Sequence, residues 1–276
     1  MREELAAWLQ CPDCGAEDLE VRAGHVQGSR IETGEVCCGC GARFPIEAGI
    51  PRMLPSALRA CQSSDEAAVR KCSEMRARDE QAGAYDRMWH LTLFGLAEIP
   101  ATLASLRLAP GQLLLEAGCG TGRMTREFAR RAGRVVAVDF SWGSLLACRR
   151  KVVASGAANV DLVQADICRL PLRSGIFDRV VSCQVLEHIP TEESRQCAVR
   201  ELARAARAGG NLAISAYQYS WWMRLRADRE GEHAGGIYYR RFTRDELERL
   251  LSRELVVERM TGALMYHYIA RCRKEA

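Results

Sequence analysis

The apolar positions of the C-terminal part of this chain change period repeatedly, and each change marks an element. Residues 113–115 are three consecutive leucines, a run that suits a strand buried on both faces. From Gly122 the period becomes helical, with Met124 and Phe128 on one side and Arg123, Arg126, Arg130 and Arg131 left for solvent. The exchange then repeats. Residues 134–138, 160–164, 177–183 and 211–216 read as strands, while 141–155 and the stretch from a Thr191 cap to Gly209-Gly210 read as helices. Thr243-Arg-Asp-Glu246 is a capping box that opens a helix to Leu251, and residues 255–260 and 264–272 supply two last strands. Strands that alternate with helices predict a doubly wound α/β fold, with helices on both faces of one sheet.

The first 55 residues follow another pattern. Residues 11–15 are Cys-Pro-Asp-Cys-Gly and residues 37–41 are Cys-Cys-Gly-Cys-Gly, two tight turns that each present a pair of thiolates. The Cys-x-x-Cys spacing selects Cys11, Cys14, Cys37 and Cys40 as ligands of a closed tetrahedral zinc site. It leaves Cys38 out, because Cys-x-Cys does not make the same knuckle. Four thiolates fill the coordination sphere, so the expected role is structural. Residues 56–82 are rich in alanine and charge and read as a charged, partly helical linker. The expected organisation is a zinc ribbon (1–55), this linker, and an α/β domain (83–276).

Composition then narrows the class. The 276 residues, 48% of them hydrophobic, suffice for one α/β domain and a small module. Lys and Arg total 39 against 35 Asp and Glu, a net charge of +4 that does not announce nucleic acid as a partner. No run approaches the ~18 apolar residues of a membrane span. Residues 1–10 lack the charge and apolar core of a secretory signal, so the expected location is the cytoplasm. Thirteen cysteines are then expected as reduced thiols or metal ligands.

The chemistry centres on Glu116-x-Gly118-x-Gly120-x-Gly122, where a ligand can lie against bare main chain. A dinucleotide fingerprint would place Gly or Ala at 123, and this chain has Arg123. Glu116, just before the turn, favours a ligand that carries an ammonium group. Asp139, ending the next strand, can accept both hydroxyls of a ribose. The strings LLEAGCGTGR and VVAVDFS resemble the class I S-adenosylmethionine-dependent methyltransferases, over roughly residues 83–276. The resemblance implies a seven-stranded Rossmann-like sheet with its last strand antiparallel, and S-adenosylmethionine as cofactor. It implies Glu116, Gly118, Cys119, Gly120 and Gly122 around the methionine end, Asp139 and Phe140 at the ribose, and Asp166 with Ile167 on the adenine. Asp166 also has the position of a helix cap.

The segment FDRVVSCQVLEHIP is similar to the same family and implies that Cys183, Gln184 and His188 face the methyl group and its acceptor. The unperturbed pKa of His188 suits a general base, although a histidine here can equally just orient the loop. Tyr85 lies in a segment that resembles the family's cofactor-covering helix, where its ring either touches the methionine end or packs. The N-terminal string, including FPIEAGIPRML, resembles small zinc-binding proteins that activate methyltransferases of tRNA, rRNA and protein. It implies scaffolding or recognition, with a protein partner as one use of the ribbon. Residues 217–242 interleave aromatics with arginines, which can stack bases and grip phosphates or line a lid over a small substrate. The sequence favours methyl transfer to a small-molecule acceptor by in-line displacement. An RNA base methyltransferase that reads its target through the ribbon, and a non-catalytic partner-activating module, are the alternatives.

Overall fold

The computed structural model describes residues 1–59, 61, 66–85, 89–221, 223–225, 227–233, 235–263 and 266–275. A one-turn helix α1 (Glu3–Ala6) precedes strands β1 (Leu19–Gln27), β2 (Arg30–Cys38), β3 (Arg43–Glu47) and β4 (Ile50–Pro51), which pair in that order as an antiparallel sheet. Strand β3 buries Phe44 and Ile46 and exposes Arg43, Pro45 and Glu47, the period of two required when one face of a sheet is wet. Then come α2 (Ser56–Arg59), α3 (Glu66–Tyr85), α4 (Trp89–Leu106), β5 (Leu113–Ala117), α5 (Thr125–Ala129), β6 (Arg134–Asp139), α6 (Trp142–Ala154) and β7 (Val160–Gln164). The chain continues through β8 (Phe177–Cys183), α7 (Glu192–Ala205), β9 (Ala206–Tyr217), the hairpin β10 (Glu230–His233) and β11 (Ile237–Arg240), α8 (Arg244–Leu251), β12 (Val256–Ala263) and β13 (His267–Arg273).

The large sheet has seven strands in the order β12-β13-β9-β8-β5-β6-β7, and β13 runs antiparallel to both its neighbours. The remaining neighbours from β9 to β7 pair in parallel. All five residues of β7 are buried, and β5 buries Leu114 to Ala117, as expected of strands covered on both faces. Helix caps follow the sequence closely. Ser141 accepts from Ser144 N, Thr191 from Ser194 N, and Thr243 with Glu246 completes the capping box.

The charged segment is more than a linker. Small residues Ala68, Cys72 and Ala82 form the buried stripe of α3, and Asp79 accepts hydrogen bonds from Ser141 Oγ (2.6 Å) and Gly143 N (2.8 Å) at the start of α6. Helix α3 is thus a wall of the α/β unit. Its Cys72 forms a disulfide with Cys61, where reduced thiols were expected; the two Cα atoms lie 5.8 Å apart, a proximity that spacing in sequence does not reveal.

The N-terminal segment shares the core of the large sheet. Leu5, Leu9, Phe44 and Met53 belong to one apolar cluster with Val136, Val163, Leu170 and Leu172. Just past β4, Met53 N donates to Gln164 O at 2.8 Å and Arg52 pairs in parallel with Gln164, so the N-terminal segment covers the edge strand β7. Buried Asp161 of β7 binds Arg134 Nη2 at 2.9 Å and lies 3.5 Å from Arg2 Nη1. Asp161→Ala leaves two guanidinium groups facing each other without their shared acid. We expect a loss of about 2–3 kcal/mol in urea unfolding at an unchanged slope, less than for a fully buried pair because both arginines are partly exposed. A loss under about 0.5 kcal/mol would mean that apolar packing alone holds the N-terminal segment to the large sheet.

Candidate cofactor cleft and cysteine cluster

The turn after β5 is built by close approach. Gly118 and Gly122 both have φ of 83°, a left-handed conformation that favours glycine. A Cβ at Gly118 would stand 2.2 Å from Val185 Cγ2, and one at Gly122 would stand 2.6 Å from Cys148 Sγ. Gly122 therefore packs against α6 and does not face the cleft, unlike the other predicted turn residues. At Gly120 a Cβ would meet nothing within 4 Å, so here the main chain lies open.

The turn floors a cleft of about 1250 Å³, open mouth included, which Glu116, Gly118, Cys119, Gly120, Asp139 and Phe140 line together with Asp166, Ile167 and Cys183. Burial pushes the Glu116 carboxyl well above its ordinary pKa, and its Oε2 makes no hydrogen bond among the described residues. A buried carboxyl with an unpartnered oxygen is a site for a cationic donor. Asp139 accepts from Gly120 N at 2.8 Å and from Ser141 N at 2.9 Å, two bonds that partly offset the rise in its pKa caused by burial. Asp166 has two jobs in the structure. Its Oδ1 accepts from Cys168 N as the cap of a short 3-10 helix, and its Oδ2 is 2.6 Å from Lys71 Nζ of α3.

At the other end, Cys183, Gln184 and His188 all line the cleft, as the sequence implies. Burial, with Arg78 nearby, holds the His188 pKa well below its usual value, so the ring is neutral near pH 7. Its Nδ1 donates to Tyr238 O of β11 at 2.8 Å, which leaves Nε2 with the lone pair. Residues 217–242 thus seat a hairpin on the His188 turn; Trp222 and Arg226 of that segment, and the side chains of Arg224 and Tyr85, lie outside the described residues. Gln184 holds φ of 58°, unusual for a side chain-bearing residue, and its Nε2 donates to Glu98 Oε1 at 2.6 Å. Glu98 is buried and also binds Arg123 at 2.8 Å, so the arginine that breaks the dinucleotide fingerprint is placed by α4.

Sequence reasoning missed the helical wall. Lys71, Glu74, Arg78 and Gln81 of α3 all face the cleft. Their spacing of three, four and three is a polar stripe beside the small apolar one, the signal that could have found them.

Residues 115–214 match the family described as "Methyltransferase domain". The chain carries a methyltransferase domain. The demethylmenaquinone methyltransferase of Mycobacterium tuberculosis (strain ATCC 25618 / H37Rv) is 36% identical over 114 residues, 41% of this chain and 44% of its own length. That of Thermobifida fusca is 31% identical over 119 residues, 43% of this chain and 49% of its own. The chain therefore spans about half the length of these relatives. Among solved structures, a DhpI–SAH complex has a TM-score of 0.57 at 24% identity, covering 74% of this chain and 96% of DhpI. The [4+2]-cyclase SpnF has a TM-score of 0.55 at 17% identity, covering 64% and 80%. These likenesses are of fold, and the fold alone does not select the reaction.

Outside the methyltransferase domain, the sulfurs of Cys11, Cys14, Cys38 and Cys40 lie within 4.8 Å of one another. Cys38 thus replaces the expected Cys37. Alternation along β2 puts Val36 and Cys38 on the buried face, while Cys37 turns away and its Sγ lies 3.2 Å from Glu35 Oε2. The separations Cys11–Cys40 (3.8 Å) and Cys14–Cys38 (3.5 Å) suit a tetrahedron with metal–sulfur bonds near 2.3 Å, whose edges are about 3.8 Å. No helix among the described residues is long and apolar enough to cross a membrane.

Proposed function

We propose that this chain is an S-adenosylmethionine-dependent methyltransferase acting on a small-molecule acceptor, with a structural zinc ion in its ribbon. The observation that carries the reading is the Glu116 carboxyl, buried at the foot of the glycine turn with an oxygen that has no partner among the described residues, in one cleft with Asp139 and Asp166. Glu116 would take the cofactor's ammonium, which restores its charge, and Asp139 the ribose hydroxyls. Asp166 retains acceptor capacity for the adenine amino group, since an ionised carboxylate offers about four lone-pair sites. S-adenosylmethionine supplies a methyl group on a sulfonium, open to in-line displacement. The chain's task is to align the acceptor and exclude water. His188, neutral and with Nε2 as acceptor, can hydrogen-bond the acceptor's X–H and orient it, while the burial that keeps the ring neutral makes it a weak base.

The small acceptor rests on enclosure. Helix α3 walls the cleft on one side and the β10–β11 hairpin sits on the His188 turn, so a small molecule would be surrounded on several sides. The names of the relatives, demethylmenaquinone methyltransferases, point to the same class. Cys11, Cys14, Cys38 and Cys40 would hold the zinc, and with the ribbon's apolar face packed on its own chain, a protein partner through that face has no support. Isothermal titration with S-adenosylhomocysteine should give a one-to-one isotherm. Incubation with labelled cofactor, RNA and a metabolite extract should place label in the metabolite fraction. Label in RNA, with ribbon-dependent RNA binding that collapses as salt rises, would overturn the small acceptor.

A further inference from the structure

We infer that Glu74 of α3 is a cofactor-binding residue, standing across the cleft from Asp139 so that the ribose lies between two carboxylates; this rests on the methyltransferase reading. The placement follows from two anchors. Lys71 is fixed to Asp166 beyond β7, and Asp79 is fixed to Ser141 and Gly143 beyond β6. Glu74 lies between these anchors on the stripe that faces the cleft, and Asp139 ends β6 two residues before Ser141. The strand ends that carry Asp139 and Asp166 are adjacent in the sheet, so the helix crosses above the place where Asp139 awaits ribose hydroxyls.

The surroundings of Glu74 suit a group that changes charge when the cofactor enters. Burial pushes its carboxyl up to about 7, against the pull of Arg78, whose Nη2 is 3.4 Å from its Oε1; Asp139 raises it further and Lys71 lowers it. From the strand side it faces Asp139, with Asp166 and Cys168 beside Lys71 and, at the far end, His188 within the field of Arg78. Ribose hydroxyls are donors, and an ionised carboxylate is an acceptor without a competing proton. Binding therefore selects ionised Glu74, so affinity rises with pH. The competent fraction goes from about one tenth near pH 6 to about nine tenths near pH 8, and apparent affinity follows that fraction, a rise of about tenfold.

The test is titration of the full-length protein with S-adenosylhomocysteine near pH 6 and near pH 8, for wild type, Glu74→Gln and, as a control on the same helix, the exposed Glu80→Gln. Wild type and Glu80→Gln should tighten about tenfold between the two conditions. Glu74→Gln should bind at both, weaker than wild type near pH 8, and with a clearly smaller rise in affinity between the two conditions than wild type; Glu116, raised by burial and recharged by the cofactor, titrates in both proteins, so its share cancels in the comparison. Glu187, pushed up to about 8 by burial, also titrates in this window, and the comparison with Glu74→Gln removes its share. A Glu74→Gln protein that keeps the wild-type affinities and their pH dependence overturns the inference and leaves the methyltransferase reading standing. A wild type that binds no S-adenosylhomocysteine at either pH overturns both.

Discussion

Asp139→Ala is expected to weaken S-adenosylhomocysteine binding by ~10²- to 10⁴-fold while the protein still folds. Two ribose hydroxyls would lose a charged acceptor, and each such bond contributes ~1.5–3 kcal/mol. The variant also removes the acceptor of Gly120 N and Ser141 N, two bonds that tie the glycine turn and the start of α6 to the end of β6. Asp139→Asn separates the contributions. It keeps the shape and one acceptor oxygen but introduces donors that repel those amides, so its affinity should fall between wild type and alanine. Titration calorimetry with circular dichroism on the same samples checks both points. A loss under twofold in folded Asp139→Ala would remove this carboxylate from the site.

The second large effect concerns the ribbon. Purified protein should contain about one zinc per chain, Cys38→Ser should lose it, and Cys37→Ser should retain it, as read by elemental analysis. Structural zinc supplies about 10 kcal/mol or more in small peptides. Here the ribbon also leans on the large sheet, so the Cys38→Ser chain should keep its α/β unit and show a thermal midpoint lowered by roughly 10 °C. Zinc retained in Cys38→Ser and lost in Cys37→Ser would reverse the ligand set.

That pair of cysteines shows where sequence reading stops. The glycine turn, the acid before it and the acid ending the next strand were legible because each depends on local chemistry: left-handed backbone, a short reach, a strand end. The capping box at Thr243 was legible for the same reason. Choosing between Cys37 and Cys38 depends on which face of β2 is buried, and knuckle spacing says nothing about that; the apolar Val36, two residues before Cys38, carried the information. Helix α3 was harder. Its charges read as solvated because their partners, Asp166 and Ser141, lie 95 and 62 residues away in sequence. The joint role of Asp166 as cap and ion-pair partner, and the Glu98 bridge between Arg123 and Gln184, are likewise products of tertiary closure.

The seating of the ribbon on β7 has a consequence for biosynthesis. Met53 finds its partner at Gln164, so 111 residues must follow it off the ribosome before the ribbon's apolar face can be covered. At ~5–20 residues per second that interval is roughly 6–20 s, long compared with collapse of a small chain. During it Leu5, Leu9 and Met53 have no sheet to pack on. The two cysteine turns, by contrast, are both complete by residue 40, so metal capture can organise the nascent ribbon while its docking surface is still being made. Zinc-starved cells should therefore accumulate this chain in aggregates during synthesis, whereas mature protein placed in chelator should stay soluble for longer, its apolar face already covered.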